Sequence, residues 1–484
     1  MSNFLNVRFE KITLTNFKNV KKGTVDFVKT DNTDFTFKPS ILGIYGQNGS
    51  GKTTLVQVIE IIKFLLMGQS LPSSLIDMIS VDSKNSEICA EFVISDNKVQ
   101  KYSVKYFVQL EKYYETIENT LTSLEQNKKI PKLAVSKEVL SASYVNLDKK
   151  VKTPMKPIID YDYYSESEST FLPNTKFVSL TNNSKVSQNN LLISKKISHD
   201  SSKSFIFCIE TLKEFRDDYR NSDKKDASLI IIEHLVRFAN GNLFVFGTKN
   251  IGLINLNAAL PFVFKFEDNN HMSVGNIAIN LTSVSDIPKE AYDLVSRAIN
   301  SMNTVLVTII PNLTVHLEIV GTQYAADGNE FVQVQLYSNR NGKKISMANE
   351  SEGIKKLVSI LQLLIVMYNN PSTTVAIDEL DSGIFEYLLG ELLRIISKHA
   401  KGQLIFTSHN LRALETMDKK FVYFTTTNEE NRYVKMSYVA KNNNLRDFYF
   451  HEILLGGQKE ELYEETNNGA IALAFCKAGD SVES

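Results

Sequence analysis

Cysteine is scarce. The three in this 484-residue chain, Cys89, Cys208 and Cys476, are far apart and match no metal-ligand spacing, which argues against a disulfide framework or a zinc site and fits a reducing cytoplasm. An excess of either charge is also missing. Lys and Arg total 54 against 55 Asp and Glu, so no global field draws the chain to nucleic acid or to an anionic membrane surface. Any DNA contact would need a local patch, for which Lys128, Lys129, Lys132 and Lys137, or Lys195, Lys196 and Lys203, are the candidates. No apolar run suits a bilayer: the longest, near Leu357 to Met367, is interrupted by Gln362 and is too short. Met1 to Arg8 lacks a charged-then-apolar leader design. Internal repeats and sustained heptads are absent, and the second absence excludes a long coiled-coil rod. These gaps leave a globular protein of the cytoplasm with no membrane partner, and 43% hydrophobic residues are enough to build its core.

Within that frame, Val7 to Phe27 alternates as a strand pair does and is expected at the edge of a mixed sheet. The apolar run Ile41 to Tyr45 reads as a strand, and Leu55, Val56, Val58, Ile59, Ile62, Leu65 and Leu66 recur at helical spacing over Thr54 to Met67. A long middle follows. In it, Cys89 to Leu110 alternates like a hairpin around Ser95-Asp96-Asn97, Ser204 to Asn240 and Ile287 to Val307 look helical, and the Tyr-rich Asp160 to Ser184 is expected to be irregular. From Leu313 two alternating segments and the turn at Asn341-Gly342 lead into helix, strand, helix, strand, strand between Glu352 and Phe424. That alternation implies a doubly wound, largely parallel sheet.

Between the first buried strand and its helix lies Gly46-Gln47-Asn48-Gly49-Ser50-Gly51-Lys52-Thr53, a match to G-x-x-x-x-G-K-[ST]. Glycines let such a loop curl so that its N–H groups cradle phosphate oxygens, and the helix that follows presents its positive end. Gly46, Asn48, Gly49, Ser50, Gly51 and Thr54 are therefore expected around a nucleotide, with Lys52 on the β- and γ-phosphates and Thr53 on Mg²⁺. Strand before and helix after is the context this pattern requires. ATP and Mg²⁺ are the expected cofactors.

A second strand, Val375-Ala376-Ile377, ends in Asp378-Glu379. Asp378 there reaches the metal's shell and Glu379, one residue on, can polarise an attacking water, although strand ends also carry Asp or Glu simply as turn formers. Three further elements accompany the pair. Ser351-Glu352-Gly353 opens a helix 25 residues before Asp378, Asp381-Ser382-Gly383 follows the carboxylates, and Thr407-Ser408-His409 ends the next strand, with His409 31 residues after Asp378. Taken singly, Ser351 reads as an ordinary helix cap and His409 as a loop histidine.

In order, these elements resemble the ABC-class ATPase heads, such as the structural-maintenance-of-chromosomes proteins and RecF. The nearest look is to the overcoming-lysogenization-defect (OLD) ATPases and their stand-alone antiphage relatives, including the PARIS and Septu ATPase subunits. The matching motifs occupy residues 1–67 and 313–424. The resemblance implies a P-loop NTPase of the ABC-head type, an α/β fold with a doubly wound mixed sheet and a large inserted α+β lobe. Its parts would be residues 1–75 and 313–430 as the head, 76–312 as the lobe and 431–484 as a tail. It further implies that Ser351 and Gly353 contact the γ-phosphate held by an opposite subunit, that Asp381 sits at the interface, and that His409 senses the γ-phosphate. Lys52, Glu379 and His409 would then be the catalytic residues. The departures are Ile384-Phe385-Glu386, where OLD-type chains commonly read Leu-His-Pro, and Glu352 and Ile354 within the signature. The glutamine that such heads use to link lobe and Mg²⁺ is sought at Gln109 or Gln188.

This implies an ATP-sandwiched homodimer or higher oligomer that hydrolyses ATP slowly and acts as sensor, scaffold or switch in abortive-infection defence. Its partner would be a separately encoded effector, nuclease or toxin, and its trigger DNA or a phage protein. The roughly 60 residues after Phe424 are too few for the nuclease domain of OLD proteins, and Asp160-Tyr161-Asp162 reads as a solvent-facing acidic loop. The alternative is a RecF- or chromosome-type ATPase acting directly on DNA in repair.

Overall fold

The computed structural model describes residues 5–29, 37–80, 83–96, 98–117, 128–167, 169–182, 184–221, 226–268, 271–324, 328–435, 445–455, 460–463 and 467–480. At its centre is a six-stranded sheet in the order Tyr433–Val434, Val422–Thr425, Ser40–Tyr45, Gln403–Thr407, Thr374–Ile377, Leu243–Phe246. All neighbours are parallel except Tyr433–Val434, which runs antiparallel to Val422–Thr425. Ser40–Tyr45, Thr374–Ile377 and Gln403–Thr407 are buried at every position. Burial on both faces explains why they read as unbroken apolar runs rather than alternations.

Helices cover both faces. Lys52–Leu66 and Ala227–Gly241 lie on one side, and Thr248–Asn255, Lys289–Ile309 and Glu352–Asn369 on the other. Two cores result, one on each side of the parallel sheet. This is the doubly wound P-loop architecture expected from the strand and helix alternation.

Above Lys52–Leu66 lies a seven-stranded antiparallel sheet, ordered Val20–Asp26, Asn6–Phe17, Asn85–Ser95, Gln100–Ile117, Lys128–Asn146, Val151–Lys152, with Lys156–Asp162 also on Lys128–Asn146. Asn85–Ser95 alternates buried and half-buried residues along its first half, as one-sided packing requires. Asp96 Oδ1 accepts the N–H groups of Lys98, Val99 and Gln100 at the following turn. Asn97, expected in that turn, lies outside the described residues.

Several expectations change here. Val7 to Phe27 does not edge a mixed sheet: its two strands begin the antiparallel one. Residues 76–312 do not stand apart from the head. Asn85–Ser95 pairs directly with Asn6–Phe17, so a boundary at 75 cuts through one sheet, and Leu243–Phe246 is an edge strand of the parallel sheet itself. A tail beginning at 431 likewise starts inside that sheet, at Tyr433–Val434. Asp160 to Ser184 is more regular than its polarity suggests. It holds the end of strand Lys156–Asp162 and helix Asn174–Thr181, pinned by the buried rings of Tyr161, Phe171 and Phe177.

Candidate functional site

Gly46 to Gly51 joins a buried strand to a helix through three residues of positive φ: Gly46 at 149°, Gly49 at 76° and Gly51 at 92°. At Gly46 glycine is also required by space, since a Cβ would stand 1.7 Å from Thr425 Oγ1. Ser50 Oγ donates to the Gln47 carbonyl at 2.6 Å, and Ser50 and Thr425 share a hydrogen bond of 2.6 Å, so the loop is braced against the neighbouring strand. Helix Lys52–Leu66 has Gly51 at its N-cap and no side-chain cap. Its first-turn N–H groups are thus left for an anion, where the helix dipole also favours negative charge.

A cleft of about 380 Å³ opens over this loop, lined by residues 48–54 with Lys18, Asn19, Glu379 and His409. Lys52 is buried, and its Nζ donates to the Gly46 and Gln47 carbonyls, both at 2.8 Å. Burial pulls its pKa down to about 8, while the carboxylates of Asp378, Asp381 and Glu379 oppose that shift.

Asp378 is fully buried at the end of Thr374–Ile377. Its Oδ1 accepts from Thr53 Oγ1 at 3.2 Å and from Thr407 Oγ1 at 2.6 Å. Its Oδ2 is buried without a hydrogen-bond partner. A carboxylate oxygen left bare beside a threonine hydroxyl at this loop is a hard donor set that suits Mg²⁺, which Thr53 and Asp378 would hold. Bound there, the ion would neutralise charge on the phosphates. Among the described residues no group of three His, Cys, Asp or Glu side chains gathers for a metal, here or at Asp160 and Asp162.

Glu379 has φ 45°, a left-handed conformation uncommon for a side-chain-bearing residue, and its N–H donates to Thr407 Oγ1 at 2.7 Å. One hydroxyl therefore fixes both acidic residues. His409 is held from behind: its N–H and that of Asn410 donate to Asp381 Oδ2 at 3.0 and 2.8 Å. The His409 pKa is lowered by burial and by Lys52, against the pull of the three carboxylates, so a neutral ring faces the cleft.

Ser351 and Gly353 do not line this cleft. The Ser351 side chain accepts from the Ile354 N–H at 3.4 Å, the ordinary capping geometry, and the residue is exposed. Gly353 packs on the Asp381 loop, where a Cβ would stand 1.9 Å from the Gly383 carbonyl oxygen. Gln109 and Gln188 also lie elsewhere, on strand Gln100–Ile117 and helix Lys185–Asp200.

Four residues of this region were missed by the sequence reading. Lys18 and Asn19, at the turn of the N-terminal hairpin, enter the cleft wall, and Asn19 Nδ2 donates to the Gly49 carbonyl. Arg432 donates to the Asn19 and Thr426 carbonyls at 2.6 and 2.7 Å, and the Tyr433 hydroxyl donates to the Gly51 carbonyl at 2.7 Å. A cation in the hairpin turn at Lys18 is the one signal that could have pointed here; Arg432 and Tyr433 carry none.

A family model described as "AAA domain" matches residues 11–250, and one described as "AAA domain, putative AbiEii toxin, Type IV TA system" matches residues 148–415, more than half of the chain. No curated protein matches. Among solved structures, the chain is similar to the SMC head domain from Thermotoga maritima, at 14% identity over 89% of this chain and 99% of that one, with a TM-score of 0.34. It is also similar to the Smc head domain with an extended coiled coil bound to the C-terminal domain of ScpA, from Pyrococcus furiosus (13% identity, 89% and 96% covered, TM-score 0.39). A third similar structure is the recombination mediator protein RecF-ATPrS in the RecFOR pathway (12% identity, 89% and 99% covered, TM-score 0.34).

Proposed function

We propose, from the premise that this chain belongs to the AAA-domain family, that it is an ATP-driven switch whose hydrolytic site is completed by a second copy of itself. Lys52 and the loop amides hold the phosphates, Thr53 and Asp378 hold Mg²⁺, Glu379 orients the water, and His409 with Asp381 behind it reads the γ-phosphate. The observation that carries the reading is the separation of two halves. The cleft holds cradle, carboxylates and histidine, while Ser351 and Gly353 stand at an exposed helix N-terminus outside it. That end of the 18-residue helix Glu352–Asn369 carries Glu352 in its first turn, is exposed, and by its dipole suits an incoming anion.

Such chemistry is positioning rather than covalent catalysis, and dimer closure completes the site. Its output is conformational, which suits a sensor or scaffold passing a signal to a separately encoded effector in antiphage defence. The family description, which names an AbiEii toxin and a type IV toxin–antitoxin system, supports that setting. DNA or a phage protein is the proposed trigger.

Glu379→Gln tests the reading. It removes the water-orienting carboxylate while leaving the cradle, so the variant binds Mg-ATP and accumulates as a closed dimer or larger assembly in light scattering. A variant that binds ATP and stays monomeric sinks the shared site. Direct action on DNA, the RecF-like alternative, would show as DNA affinity falling steeply with salt on the purified protein.

A further inference from the structure

Helix Glu352–Asn369 carries two consecutive lysines that are almost fully buried, Lys355 at 5% and Lys356 at 3% exposure. An ammonium removed from water is costly unless it is bonded, so each must be held to something. Lys355 fastens the helix to its own flank: its Nζ donates to Asn257 Oδ1 and to the Ala348 carbonyl, both at 2.8 Å. Lys356 points the other way. Its Nζ donates to the main-chain carbonyl of Glu379; burial pulls its pKa down to about 8, against the carboxylates of Asp381, Glu379 and Asp378, which favour its charge.

That carbonyl belongs to the residue whose side chain lines the phosphate cleft, and whose φ of 45° persists only because its surroundings over-determine it. The restraints can be named. The Glu379 N–H is tied to Thr407 Oγ1, and its carbonyl accepts from Lys356 Nζ and, at 3.0 Å, from the Ser382 N–H. Of these, only Lys356 comes from the helix that begins at Ser351. Gly353 and Lys356 are three residues apart and so share one face of that helix. This face meets the 378–383 segment at two points, through the close approach of Gly353 to Gly383 and through the Lys356 hydrogen bond.

We infer that Lys356 is a positioning residue: it ties the helix bearing Ser351 and Gly353 to the Glu379 backbone of the same chain, so that a phosphate arriving from a second copy is registered at this copy's own water-orienting carboxylate. The inference rests on the shared-site reading above and adds its direction. A partner's nucleotide completes the partner's site and, through Lys356, also sets Glu379 on the near side. Hydrolysis at the two sites of a dimer is then coupled, each carboxylate being aligned by the other site's phosphate.

The experiment uses the full chain with Lys356→Met, Lys356→Gln and Lys356→Arg. Three quantities are read: mass by light scattering with Mg²⁺ and a non-hydrolysable ATP analogue, steady-state kcat and KM for ATP, and melting temperature. The wild type is expected to dimerise. Lys356→Met is expected to dimerise as well, with KM within about threefold and kcat lower by about tenfold or more, the loss expected when a reacting group is held out of place. Lys356→Arg, which keeps a charged donor, recovers most of kcat. If Lys356→Met does not fold, Lys356→Gln replaces it with the same expectations. The inference is overturned by wild-type kcat in the dimeric, folded Met or Gln variant. It is equally overturned if Arg is no better than Met while both melt like the wild type, or if the Met variant melts normally but fails to dimerise. A wild type that stays monomeric with the analogue defeats the shared-site reading itself, and that outcome needs no Lys356 variant to be recognised.

Discussion

Removing the Thr407 hydroxyl is the most demanding test of the site's geometry. Thr407→Val keeps the shape of the side chain and deletes one oxygen, which donates to Asp378 Oδ1 at 2.6 Å and accepts the Glu379 N–H at 2.7 Å in a setting about 1% exposed. A hydrogen bond to a carboxylate contributes about 1.5–3 kcal/mol, and a buried N–H left without an acceptor costs about 1–3 kcal/mol. Part of the first loss is recovered if water reaches Asp378, so a net destabilisation of about 2–4 kcal/mol is expected. The functional effect is separate. Glu379 loses one of the bonds that maintain its left-handed backbone, and a misplacement on the order of 1 Å is enough for about a hundredfold loss in rate. Urea unfolding followed by circular dichroism, since the chain has no tryptophan, measures the first. Steady-state ATP hydrolysis measures the second, with KM expected to change little because the phosphate cradle is untouched. Thr407→Ser retains the oxygen and is expected near wild type in both. The reasoning is refuted if Thr407→Val unfolds within about 0.5 kcal/mol of the wild type and hydrolyses ATP normally, or if Thr407→Ser is as impaired as Thr407→Val.

Gly353→Ala places a methyl 1.9 Å from the Gly383 carbonyl oxygen, where backbone must yield on one side or the other. ATP binding is expected to survive while ATP-dependent dimerisation and turnover fall by about tenfold or more, and equal dimerisation in sedimentation would count against it. Lys52 supplies a pH dependence. Its ammonium binds phosphate and its pKa in the free protein is lowered to about 8 by burial, so ATP affinity weakens as pH rises through that value, by about tenfold from pH 7 to pH 9. Lys52→Arg, always charged, should show a flat profile by calorimetry, and an identical slope in both proteins would remove Lys52 as the cause.

What could be read from the sequence was local. The phosphate loop, the Asp378-Glu379 strand end and the helix at Ser351 each announce themselves within a few residues, because backbone curl, strand burial and capping are short-range requirements. The structure brings Lys52, Thr53, Asp378, Glu379 and His409 together around one cleft. What stayed hidden is held by long-range contact. Arg432 and Asn19 are 413 positions apart, and nothing around either residue signals the other. Leu243–Phe246 is a four-residue edge strand lying between two helices, too short for periodicity to separate it from its surroundings. The supposed lobe was misjudged for the same reason: alternation shows that Asn85–Ser95 is a strand, not that its neighbour is Asn6–Phe17.

The parallel sheet also sets a schedule. Ser40–Tyr45, which leads into the phosphate loop, takes its two neighbours from Gln403–Thr407 and Val422–Thr425, and the Gly51 carbonyl waits for the Tyr433 hydroxyl. A ribosome adding about 5–20 residues per second needs tens of seconds to travel from the loop to those strands. Throughout that interval the loop has been made but has nothing to lie against. A nascent or prematurely ended chain therefore carries the phosphate-binding residues without a finished cradle, and nucleotide can engage only when the far end of the protein has arrived. A fragment is thus kept from a finished nucleotide cradle by the order of strands in a sheet.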